Sequence, residues 1–380
     1  MNGKNLHDAM EFVGQDLVDL AEKQRFRRSA LQIILPTAAA VALIWGVGTA
    51  LTPYWQPAIA EPAVEEKMLL EEIVVVEEEL PEVQPEEDRP ETPTAHPLLS
   101  VFPQLDAATL PETEEWETFY LNEAGLEDQG TEMATTQGDQ VLAVDAQNGI
   151  LLVRVQGADY QGVLAIAKDP GLLSQQAAKE IGTMGQTMGE IAQAYDGVLA
   201  ICGSRFLSED GSADGGNVAA YTMCEGVEYN GETHLEQGAV RLEIDGDGKF
   251  RLVDSQTPVG TDTENAVEVP TALIENGNIV VDEGYNGVHP RACLGQTAAG
   301  EILMLVIEGR LPEVSLGTGL PTCAEILKSY GCETAIPLDH GTSAMLWFDG
   351  EYVTRCSNRA LPQGRLLPTA FVVTRKDAGT

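Results

Sequence analysis

From Ser29 to Tyr54 the chain carries no charge, and Leu31, Ile33, Ile34, Leu35, Val41, Leu43, Ile44 and Trp45 recur among small residues. A helix of about 20 apolar residues crosses a bilayer, so this pattern predicts one transmembrane helix over 29–54. Lys23, Arg25, Arg27 and Arg28 precede it, and Tyr54 and Trp55 close it. Basic residues stay on the cytoplasmic side and aromatic residues favour the interface. The prediction is therefore a cytoplasmic tail over 1–28, with everything beyond the helix outside the cell membrane. Ala58-Ile59-Ala60 has the small-residue pattern of a signal-peptide cleavage site. The apolar stretch exceeds a signal core of about 7–15 residues, however, and a retained signal-anchor is expected.

Between Glu61 and Glu91 the pattern changes to thirteen acidic and two basic residues interrupted by Pro62, Pro81, Pro85 and Pro90. Such a segment repels itself and stays extended. Leu98, Leu99, Val101, Phe102 and Trp116 follow without a period. Residues 55–138 are accordingly read as an acidic, Pro-rich stalk and linker.

From 139 to 374 apolar runs alternate with turn signals, and an α+β domain is expected: a mixed, twisted β-sheet with packed helices. Strands are predicted at 141–144, 150–155 and 163–167, the first two joined through Asn148-Gly149. Met184, Met188, Ile191, Ala192 and Tyr195 recur at helical spacing, predicting a core-facing helix that Gly197 stops. Val198–Ile201 reads as a strand leading into a small, polar loop from Cys202 to Asn217. Asp245-Gly246-Asp247-Gly248 lacks the closing glutamate of a calcium loop, and its flanks predict a hairpin turn.

The segment after Asn286 carries the most specific expectation. Ile302–Ile307 predicts a buried strand ending at Glu308-Gly309-Arg310, Pro321 opens a helix that Gly331 ends, and Ala335–Leu338 predicts a second strand ending at Asp339-His340-Gly341-Thr342-Ser343. A right-handed strand–helix–strand unit makes its two strands parallel. Glu308 and Asp339 are then expected on one rim of the sheet, where α/β sheets bind ligands.

Charge sharpens this picture. The chain carries −38 overall, yet from Asn286 onward eight basic residues nearly balance nine acidic ones, leaving −37 on the preceding residues. Nucleic acid is excluded as a partner by repulsion, whereas the near-neutral tail can accept an anion. Arg291, Arg310 and Arg355 supply guanidinium groups suited to a phosphate. Cys202, Cys224, Cys293, Cys323, Cys332 and Cys356 show no metal-ligand spacing, and neither a metal nor a cofactor is predicted. A Cys323–Cys332 disulfide is disfavoured, because ends of one helix lie too far apart.

Two carboxyl groups on one rim suit glycoside cleavage, one as acid and one as base or nucleophile. The motifs His289-Pro290-Arg291-Ala292-Cys293-Leu294-Gly295, Glu308-Gly309-Arg310, Gly317–Leu327, Asp339–Met345 and Pro368–Val373, with Tyr160-Gln161-Gly162, Asp169-Pro170 and the loop from Ile201 to Gly216, resemble in order and spacing the phosphodiester glycosidase family. The resemblance departs from the family pattern at Cys202, Glu308 and His340, where Asn, Asp and Gly are usual. It implies catalytic Asp339 and Glu308, with Arg291, Arg310, Gly341, Thr342, Ser343, Cys202, Arg205 and His340 contacting substrate. The implied activity is hydrolysis of a sugar-1-phosphodiester in an envelope glycan or cell-wall polymer. A glycan-binding module of the same fold without turnover is the alternative.

Overall fold

The Asn148-Gly149 signal lies in the connection that starts the domain. In the computed structural model, which describes residues 96–111, 132–207, 214–229 and 238–376, β1 (Val141–Asp145) and β2 (Ile150–Gln156) pair antiparallel with Asp145 opposite Ile150. Asp145 accepts from both the backbone and the side chain of Asn148, and Gly149 takes φ +71°. The predicted cytoplasmic tail, membrane helix and most of the stalk lie outside the described residues.

Three sheets follow. The largest has the order β1, β2, β3 (Gln161–Ala167), β16 (Ile302–Ile307), β15 (Arg291–Thr297), β17 (Cys332–Pro337), β13 (Ile274–Glu275) and β14 (Asn278–Ile279). A second comprises β11 (Phe250–Asp254), β10 (Val240–Asp245), β12 (Thr263–Val269), β8 (Thr222–Cys224) and β9 (Val227–Tyr229). A third has β19 (Glu351–Tyr352), β18 (Leu346–Phe348), β5 (Gly197–Cys202), β20 (Thr369–Thr374) and β4 (Leu173–Ala177). A short ribbon pairs β6 (Phe206–Leu207) with β7 (Asn217–Val218). Hydrogen-bonded neighbours in the large sheet are antiparallel throughout, so its parallel relationships are between strands that do not touch.

The large sheet is buried on both faces, which is why β16 reads as an unbroken apolar run rather than an alternation. Ala165, Met304, Val306, Leu294 and Ile336 face a core shared with Leu242 and Val267 of the second sheet and Leu199, Ile201 and Phe371 of the third. The opposite face, with Leu164, Leu305, Ile307 and Cys293, is covered by α3 (Leu320–Ser329) through Cys323, Ala324 and Leu327.

That second face also holds a segment which the sequence left as linker. α1 (Pro97–Val101), capped by the His96 side chain, buries Leu98, and Phe102, Leu105 and Met133 join the same apolar cluster. One short helix and irregular contacts leave no period to read. The Met184–Tyr195 expectation is also corrected. α2 (Met188–Ala194) begins only after a capping box made by Thr187 and Glu190, and Met184 is exposed. Asp196, at φ +52°, takes the left-handed turn expected of Gly197, which instead starts β5. All six cysteines are buried free thiols.

Candidate functional site

β16 and β17 each pair antiparallel with β15 between them, so they run parallel and end at the edge where β15 begins. This places Arg291, Glu308 and Asp339 at one rim. The loops there are packed to backbone contact. Gly317, at φ +106°, passes so close to His289 that a side chain would lie 2.5 Å from its carbonyl. His289 and Thr318 exchange backbone hydrogen bonds beside it, and Arg310, held at φ +58°, donates its N–H to Leu316. Left-handed backbone at an arginine is uncommon and marks a conformation imposed by its surroundings.

That conformation sends Arg310 across to the Asp339 loop. Its guanidinium lies over Gly341, where a side chain would meet Nη1 at 3.4 Å and Nη2 at 3.5 Å. His340 next to it faces Asp339 and the charges of Arg291, Arg205 and Arg310. Its ring lies 5.5 Å from that of His289, tilted by 49°. Burial holds the His340 pKa below its ordinary value; Asp339 opposes this, and the three arginines reinforce it. Burial and these positive charges both favour the neutral imidazole, and positive charge gathered at the rim is receptive to an anion.

The predicted residues divide by what they already hold. Arg291 is buried and donates from Nε to the Thr318 carbonyl at 3.0 Å and from Nη2 to the Gly287 carbonyl at 2.5 Å. Its fork therefore fixes two rim loops, while its charge still faces His340. Arg205 is exposed, on the loop after β5. Cys202 donates its thiol to the Asp339 carbonyl at 3.4 Å, tying β5 to the end of β17, and burial pushes its pKa well up. Ser357 donates to the Thr342 hydroxyl at 3.4 Å, whereas the buried Ser343 hydroxyl has no partner among the described residues.

Glu308 stands apart. It is 1% exposed, and its Oε1 accepts the backbone N–H of Arg355 at 2.7 Å with the Arg355 Nε at 3.8 Å. Oε2 has no partner among the described residues. Burial raises its pKa, opposed by the Arg355 N–H and by the charges of Arg355 and Arg154. No hydrogen bond or ion pair among the described residues joins it to Asp339. The two carboxyl groups share a rim, with Glu308 held by the Arg355 backbone and Asp339 beside His340.

One supporting group escaped the sequence reading. Gln175, Ser204, Thr222, Asn265 and Thr369 are all buried and hydrogen-bonded together. Thr369 Oγ1 accepts the Ser204 N–H at 2.8 Å, and Gln175 Nε2 donates to Ser204 Oγ at 2.6 Å. The loop presenting Arg205 is thereby fastened to β20 and β4. Polar residues inside strands were the available signal, since a buried polar side chain needs partners.

Residues 195–374 match the family model described as phosphodiester glycosidase. Among solved structures, the catalytic domain of zebrafish N-acetylglucosamine-1-phosphodiester alpha-N-acetylglucosaminidase, auto-inhibited by its pro-peptide, shares the fold: TM-score 0.50 and 17% identity over 60% of this chain and 82% of that one. A Burkholderia pseudomallei protein gives TM-score 0.43 and 12% identity over 57% of this chain and 74% of its own. A hypothetical protein from Synechocystis gives TM-score 0.40 and 12% identity over 59% and 62%. No curated protein matches the chain significantly.

Proposed function

Because residues 195–374 of this chain belong to the phosphodiester glycosidase family, we propose that it hydrolyses a sugar-1-phosphodiester bond in a cell-envelope glycan. The observation that carries this reading is the Arg310 guanidinium over Gly341 in the loop after Asp339, where the charges of Arg205 and Arg291 also act on His340. Cleavage breaks the bond between the anomeric carbon and the bridging oxygen. The phosphomonoester leaves with the electron pair, and water supplies the new hydroxyl. A phosphomonoester has a second pKa of about 6, so it departs as an anion that guanidinium groups stabilise more strongly as its charge grows. Arg310 and Arg205 face that charge, Arg291 holds the loops behind them, and the Ser343 hydroxyl offers a further donor. Asp339 takes the proton of the attacking water or attacks the anomeric carbon itself. Glu308, kept toward its protonated form by burial, supplies the second carboxyl.

The test is release of free sugar from an N-acetylglucosamine phosphodiester. Asp339→Asn is expected to lower kcat at least about a hundredfold, the range of a lost general base, with unchanged thermal unfolding. Full activity of that variant removes Asp339 from the chemistry. A second reading, a glycan-binding module without turnover, is favoured by one feature, the seclusion of Glu308 under the Arg355 backbone. It predicts calorimetric binding of the diester with no sugar released.

The Ser29–Tyr54 segment is part of the proposal as a single-pass anchor that leaves 139–374 outside the cytoplasm. The chain should then stay with membranes through alkaline carbonate extraction; its release into the supernatant would remove the anchor.

A further inference from the structure

The rim around the arginine cluster is not uniformly polar. Val288, next to His289, is 58% exposed; Leu316, whose carbonyl accepts the Arg310 N–H, is 46% exposed; Leu361 is 40% exposed. They come from three loops, of which the first two meet where His289 and Thr318 exchange backbone hydrogen bonds. Leu361 sits in the connection between β19 and β20, which is fastened over the rim at both ends. Arg355 donates to Glu308 at 2.7 Å, and the Arg365 guanidinium lies 4.5 Å from the centre of the Phe206 ring. Between them Arg359 pairs with Glu313, three residues from Leu316. That pair links the loop carrying Leu361 to the loop carrying Leu316. Tyr285, 39% exposed, adds an aromatic edge before Val288.

Single exposed apolar residues are ordinary. Here four of the nine large apolar residues exposed among the described residues stand on the loops that hold His289, Arg310 and the Glu308 contact. Leaving them in water costs about 25 cal/mol per Å² of apolar surface, and a wholly hydrophilic substrate would not relieve that cost. A ligand with an anionic group bonded directly to a hydrocarbon would satisfy both parts of the rim, its charge on the guanidinium groups and its chain across Val288, Leu316 and Leu361.

We infer that the substrate is an amphiphilic phosphodiester, in which the phosphate links the sugar to a long-chain alcohol rather than to a polyol. This rests on the phosphodiester reading above and names its aglycone. The apolar rim selects the alcohol, while the arginine cluster recognises the phosphate common to both kinds of diester.

Two measurements separate this inference from the reading beneath it. Isothermal calorimetry on the intact chain compares decyl phosphate, below its micellar concentration, with glycerol phosphate. The expected result is at least tenfold tighter binding of decyl phosphate, falling to within about twofold in a Val288→Ser, Leu316→Ser, Leu361→Ser variant. Equal affinities in the wild type, or an unchanged ratio in the triple variant, overturn the inference. Sugar release from the decyl and glycerol diesters of N-acetylglucosamine-1-phosphate tests the reading itself. Turnover of both at equal kcat/KM leaves the phosphodiesterase reading standing and overturns the amphiphile. A decyl preference in binding with no turnover of either does the reverse. If the triple variant loses co-sedimentation with phosphatidylcholine vesicles while its decyl-to-glycerol ratio stays unchanged, the rim is a membrane contact and the inference fails.

Discussion

Two groups of arginines in this domain show opposite uses of one side chain. On the second sheet, Arg241 is buried and donates to Glu243 at 2.6 and 3.0 Å and to the Ser255 and Thr257 carbonyls, with its guanidinium 5.3 Å from the centre of the Tyr221 ring. Arg251 closes the other side, reaching Glu243 at 2.7 Å and Asp262 at 2.8 Å. Burial alone would raise the Glu243 pKa, but hydrogen bonds from Arg251, Arg241 and Thr263 bring it below the ordinary value. At the rim, the charges of Arg205, Arg291 and Arg310 act on His340 against that of Asp339. Balanced charge builds a wall. Unbalanced charge, drawn from Arg205 and from the near-neutral last quarter of an otherwise acidic chain, leaves net positive charge at the rim.

Breaking the balanced cluster should have the largest effect. Glu243→Ala strands buried Arg241, and losing one partner of a buried pair costs about 3–5 kcal/mol. Urea unfolding should show a midpoint lowered accordingly; an unchanged midpoint would mean that the cluster is solvated. In the unbalanced cluster the same kind of change acts on ligand instead. Arg310→Ala should weaken glycerol phosphate binding by about tenfold or more, the range of a lost charge-assisted hydrogen bond of about 1.5–3 kcal/mol, with little change in unfolding. A large loss of stability without loss of binding would reverse the two roles.

The smallest expected effect sharpens the comparison through pH. His340 has a folded pKa below its ordinary 6.5. In the window between the two values the unfolded chain binds more protons than the folded one. Stability from this residue is therefore present above about 6.5 and falls as pH drops toward the folded value. Thermal unfolding from pH 7.5 to 5 should decline more steeply in the wild type than in His340→Gln. Added phosphate should flatten the decline, because an anion among the arginines favours the protonated ring. Equal slopes with and without the substitution would place His340 outside the cluster.

Much of the rim was legible before any coordinates. The apolar run of β16, the Pro321-to-Gly331 helix and the strand before Asp339 are local signals, each set by hydrophobic period and end residues. Chirality alone then made β16 and β17 parallel. The burial of Glu308 was not legible, because what a side chain at a strand end meets depends on how distant loops pack over it. Glu308 is drawn inward by the Arg355 backbone, 47 residues away. Nor did Arg291 announce itself as a loop fastener, since its acceptors are carbonyls of Gly287 and Thr318, invisible to residue type.

By itself the sequence determined the order of elements, the shift to neutral charge after Asn286, and the short list of carboxyl and guanidinium groups at one sheet edge. All of these depend on local periodicity, composition or the handedness of one crossover. Only tertiary structure decided that 96–111 joins the core, that Thr369 and Gln175 fasten the Arg205 loop, and that Arg310 crosses to Gly341 while the Arg355 backbone holds Glu308. Those outcomes depend on contacts between distant segments, where close packing and the need to pair every buried polar group select one arrangement among many that the sequence permits.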